Sequence, residues 1–251
     1  PEITFNALMD AVKEGEISMD ELDTAVLKIL KMKEWCGVNN INMIQPDTLQ
    51  KVNNQTEHIA LSKEIAQKSV TLFENKSLPI NPKSETLLLA VRSDALLKVA
   101  KDMGTAIPKK SSYLYASVQR YQPDADMLMV EENPTPEEID NIMEQVKKYE
   151  NILFVSFVRI LSYKQGSGKM PLSQIRLVQL LHETGKDVST VIVGNPYAIR
   201  ELPNTGNLIC SYSDCMYSID AAVDVLYGSA KAEGRLPVTM NEKYSFGYGL
   251  E

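Results

Sequence analysis

Val188-Ser189-Thr190-Val191-Ile192-Val193-Gly194-Asn195-Pro196-Tyr197 is a nearly continuous β-branched run that stops on Gly-Asn-Pro. Such a run has no polar face, so it reads as a buried parallel strand with a turn at its carboxyl end and a short helical pattern after it. It needs cover on both sides, and the flanking segments 172–185 and 216–227 have the apolar spacing of covering helices.

Outward from this strand the same alternation repeats. Ile152–Val158 is an apolar strand broken only by Ser156, and Leu208–Tyr212 is one more on the other side. Leu87–Val91 starts the pattern, Ala95–Asp102 reads as a helix closed by Gly104, Tyr113–Val118 as a second strand and Met127–Val130 as a short third. Thr135 stands as N-cap before Pro136, with Glu137 and Glu138 in the first turn, a strong start for a helix reaching about Tyr149. Strands alternating with helices of this length give an α/β fold: a three-layer αβα sandwich with a mostly parallel sheet.

Before the sandwich come linking helices. Residues 3–13 and 18–35 are helical patterns separated by Glu14-Gly15-Glu16, and Ser18 with Glu21 makes a capping box. Leu22, Val26, Ile29 and Leu30 form an apolar stripe on the second helix. Asn-rich residues 38–56 read as loop, and a further helix runs from Thr56 to Val70. The expected division is 1–37 as helices, 38–84 as linker and helix leading into the sandwich, and 85–251 as the sandwich itself.

Composition excludes several classes of function. A formal charge of −7, with Lys109-Lys110 and Lys147-Lys148 as isolated pairs, argues against nucleic acid or an anionic membrane as partner. No run approaches the ~18 apolar residues of a membrane span. The chain opens on Pro1 without an initiator Met or a signal-peptide pattern, which suggests a piece of something longer. Cys36 and Cys210 read as buried hydrophobes and Cys215 as a helix-start residue; with His58 and His182 the only histidines, no metal or other cofactor is expected.

In an open parallel sheet, ligands sit outside the carboxyl ends of the strands, which points to loops 92–94, 119–125, 159–170, 194–197 and 212–215. The richest is 159–170, where Arg159, Tyr163, Lys164 and Lys169 are the candidate binding residues, toward a sugar edge or a neighbouring domain. Its Gly166-Ser167-Gly168-Lys169 is not a phosphate loop, because Tyr163 replaces the first glycine and Met170 the hydroxyl residue after the lysine. A dinucleotide fingerprint fails at Pro171. No Gly-x-Ser-x-Gly elbow exists, and Ser213 and Asp214 read as the cap of helix 216–227.

Several motifs in order resemble one family. Gly15-Glu16-Ile17, Leu22-Asp23 and Ala25-Val26 to Lys33, then His58 to Asn75, resemble the join between the two domains of glycoside hydrolase family 3. Gly185-Lys186 to Tyr197, Val223 to Gly228, Ala232-Glu233-Gly234-Arg235-Leu236-Pro237-Val238 and Phe246-Gly247-Tyr248-Gly249-Leu250 resemble its carboxyl-terminal αβα sandwich. Asn195-Pro196-Tyr197 and Lys231-Ala232-Glu233-Gly234 lean toward the β-N-acetylglucosaminidase branch.

The resemblance implies a retaining mechanism whose aspartate nucleophile lies on an amino-terminal (β/α)8 barrel, the expected partner. In the acetylglucosaminidase branch the acid/base is an Asp-His pair of that barrel, absent from these 251 residues. Other branches take an acid/base Glu from the loop after a strand equivalent to 152–158, yet residues 151–182 hold no Asp or Glu. The expectation is therefore a non-catalytic domain of a hydrolase acting on O-glycosyl bonds, with no catalytic residue of its own and carbohydrate as a further partner. The alternative is a stand-alone ligand-binding or scaffold α/β domain; a nucleotide-dependent enzyme requires that loop 159–170 bind phosphate.

Overall fold

The computed structural model describes residues 1–38, 48, 55–91, 110–161, 165–203 and 206–250. The expected loop at 38–56, apart from its described ends and residue 48, and the expected helix Ala95–Asp102 fall outside them. The chain divides into two compact units, Pro1–Gln55 and Thr56–Glu251.

In the first unit, α1 (Glu2–Lys13) and α2 (Met19–Trp35) join through Gly15, whose φ of +77° suits a residue without Cβ. The capping box forms at the start of α2: Ser18 Oγ accepts from Glu21 N at 3.2 Å and Glu21 Oε2 accepts from Ser18 N at 3.0 Å. Neither helix has a buried residue. Cys36, expected to be buried, is exposed for the same reason.

The second unit is built on a six-stranded sheet of order β1-β6-β5-β4-β2-β3. Its strands are β1 (Thr71–Glu74), β2 (Thr86–Val91), β3 (Asp126–Val130), β4 (Asn151–Val158), β5 (Asp187–Gly194) and β6 (Asn207–Ser211). All neighbours are parallel except β1, which runs antiparallel to β6 along the edge. The opening stretch is therefore β5, paired on both sides. The period of two sends Ile152, Phe154, Val188 and Ile192 to one face and Leu153, Val155, Val191 and Val193 to the other.

Helices cover both faces. On the first lie α5 (Pro136–Val146) and α6 (Leu172–Glu183), through Ile139, Ile142, Leu177 and Leu181. On the second lie α3 (Thr56–Ser69), α4 (Lys110–Gln119) and α7 (Met216–Leu226), through Ala66, Leu114, Val118, Ile219 and Ala222. Thr135 caps α5 as expected, accepting from Glu138 N at 3.3 Å while Glu138 Oε2 accepts from Thr135 N at 2.7 Å.

Three readings need correction. Residues 113–118 form the body of α4, not a strand. Their apolar side chains serve both periods, and the helix is selected by partners far away: Tyr113 Oη and Ser117 Oγ each donate to Asp220 at 2.6 Å, while Arg120 pairs with Asp224 at 2.9 Å. Thr71–Glu74, which follows the expected helix to Val70 and falls in the stretch expected to be linker and helix, is the sheet's antiparallel edge strand. The sheet unit thus includes Thr56–Ser69 and Thr71–Glu74, part of the stretch expected to be linker and helix. Finally, with 113–118 helical, loop 119–125 enters β3 at its amino end. The carboxyl-end turn after β3 instead carries Glu131 and Glu132.

Candidate functional site

At the carboxyl ends of β4, β5 and β6 the sheet opens into a cleft of about 420 Å³, walled by Val158, Arg159, Gly194, Asn195, Tyr212 and Asp214. Its floor depends on a glycine. Gly194 has φ +115°, and a Cβ there would lie 2.2 Å from the Val158 carbonyl oxygen. The absence of a side chain lets the ends of β4 and β5 close together, with Asn195 N donating to the same Val158 oxygen at 2.8 Å.

Asn195 also ties the 159–170 loop to β5. Its Nδ2 donates to the Gly168 carbonyl at 2.7 Å, while Oδ1 accepts from Tyr197 N at 3.3 Å and starts the 3₁₀ turn Pro196–Glu201. Across the loop, Ser167 Oγ accepts from Leu161 N at 2.8 Å and donates to Leu161 O at 2.9 Å. The described ends of this loop are thus fixed by side-chain bonds.

The candidate residues fare differently. Arg159 stands in the cleft, three-quarters buried, with its guanidinium paired to the Asp214 carboxylate. Lys169 is exposed beside Gly168. Tyr163 and Lys164 lie outside the described residues.

Asp214 itself is a correction. The N-cap position of α7 is Cys215, without a side-chain cap, and Ser213 Oγ accepts from Cys215 N at 3.2 Å, leaving Asp214 turned to Arg159. No local signal distinguishes a cap aspartate from one that pairs with a residue 55 positions earlier. Such mutual pairing fixes the guanidinium plane and satisfies the carboxylate.

Two further groups border the site. Burial pushes the Tyr212 phenol up to about 12, and its hydroxyl is hydrogen-bonded to Thr71 Oγ1 at 2.8 Å, so it is a neutral hydrogen-bonding group at ordinary pH. Burial is the largest influence and raises the Cys215 thiol, but hydrogen bonds with the Ser218 and Ser213 side chains and with the Ser218 and Tyr217 backbone together outweigh it and leave the thiol below its ordinary value. Among the described residues no three His, Cys, Asp or Glu side chains are grouped to hold a metal ion. The cleft therefore offers a fixed cation, amide and hydroxyl groups and backbone, a set for binding polar oxygens.

Comparison with known proteins identifies the domain. Residues 70–248 match the family described as Glycosyl hydrolase family 3 C-terminal domain. The chain belongs to this family. Among curated relatives, Beta-hexosaminidase A of Pseudoalteromonas piscicida is 24% identical over 262 aligned residues, covering 93% of this chain and 41% of the relative. Periplasmic beta-glucosidase of Salmonella typhimurium is 21% identical, covering 91% of this chain and 35% of the relative. The chain thus spans about two fifths or less of these relatives. A glycoside hydrolase family 3 β-N-acetylglucosaminidase from Paenibacillus sp. shares the fold with a TM-score of 0.68 at 22% identity, over 94% of this chain and 42% of that one. The family 3 resemblance read from Gly185–Tyr197 and Ala232–Val238 thus stands, as does the αβα sandwich, and the matched family is the C-terminal domain, not the catalytic barrel.

Proposed function

We propose that this chain is the non-catalytic carboxyl-terminal part of a retaining glycoside hydrolase acting on β-N-acetylglucosaminides or β-glucosides, and that its amino-terminal partner is a (β/α)8 barrel. The family match over 70–248 carries the reading, together with the names of relatives more than twice as long. In this reading residues 1–37 belong to the end of the barrel domain, supported by exposed Ile3, Phe5, Leu8, Ile29 and Leu30 on helices that bury nothing of their own.

The role assigned to the cleft is binding. A retaining hydrolase needs two carboxyl groups ~5–5.5 Å apart, whereas among the described residues the carboxylate lining this cleft is Asp214, paired with Arg159. Arg159, Tyr163, Lys164 and Lys169 then contact a sugar edge or the barrel surface. Lysine is a poor acid here, because its ordinary pKa of ~10.4 is several units above neutral pH. In the two-domain enzyme, alanine at both Lys164 and Lys169 should change substrate affinity or domain docking while the single-turnover rate at saturating substrate stays within about tenfold. A loss of about a hundredfold or more in that step, with the fold intact, would assign the loop a catalytic group.

A further inference from the structure

We draw no further inference here: the strongest candidate, the groove of about 620 Å³ between β1, the 75–79 turn, the carboxyl end of α7 and the 230–235 segment, has an apolar floor of Leu72, Val225 and Ala232 under a rim of mixed charge from Lys231, Glu233 and Arg235, and nothing in the structure shows what covers it.

Discussion

Helices α2 and α7 have similar periodic apolar faces but different fates. α7 buries Ile219, Ala222, Val223 and Leu226 against the sheet, whereas Leu22, Val26, Ile29 and Leu30 of α2 remain exposed. Periodicity specifies a helix and its apolar stripe; it does not say which surface covers the stripe. For α7 the cover lies within the same unit. For α1 and α2 the proposed cover is the amino-terminal barrel.

The largest effect expected separates these regions directly. Ile192→Ala, in the fully buried middle of β5, should lower stability by about 2–5 kcal/mol. Leu30→Ala, at a site 54% exposed, should stay within about 0.5 kcal/mol. Urea unfolding of both variants makes the comparison. A comparable loss at Leu30 would show that α2 buries its stripe in the isolated chain.

Smaller effects sharpen the account of the core. Thr190 is fully buried on the face that carries Val188 and Ile192, and its hydroxyl has no hydrogen-bond partner among the described residues. Thr190→Val replaces that hydroxyl with a methyl group of similar size and should stabilise the fold by about 1 kcal/mol, read from the unfolding midpoint. An unchanged or lower midpoint would mean that the hydroxyl is satisfied in solution.

A pH dependence should be smaller still. His182 accepts from Gly206 N through Nδ1 at 3.4 Å, and its Nε2 is buried without a partner among the described residues. Burial lowers its pKa below the ordinary 6.5; Glu74 opposes this and Lys76 adds to it. The unfolded chain therefore takes up the proton first as pH falls. This contribution to stability is present above 6.5 and is lost as pH falls from there toward the lowered folded value. His182→Gln should flatten the stability profile across that window. An unchanged slope would assign it to other groups.

These comparisons also mark what was legible in the sequence. β2, β4, β5 and β6 announce themselves as apolar runs because parallel strands are buried on both faces, and the caps at Ser18 and Thr135 are written within four residues. The missed features depend on distant partners. β1 is four residues long and is defined by pairing with β6, more than 130 positions later. α4 is selected through Asp220 and Asp224. In the cleft, Arg159 was legible as a polar residue at a strand end, but its pairing with Asp214 was not, since a helix cap offered the aspartate an equally good local role.

The central claim is that this domain binds or docks without performing the glycosidic chemistry. Its most direct test is an assay of the purified 251-residue chain against aryl β-N-acetylglucosaminide and aryl β-glucoside. The account predicts release of the aryl group no faster than in buffer. Turnover that disappears in Asp214→Asn or Glu132→Gln, with circular dichroism unchanged, would contradict it and place a catalytic carboxylate at the carboxyl edge of this sheet.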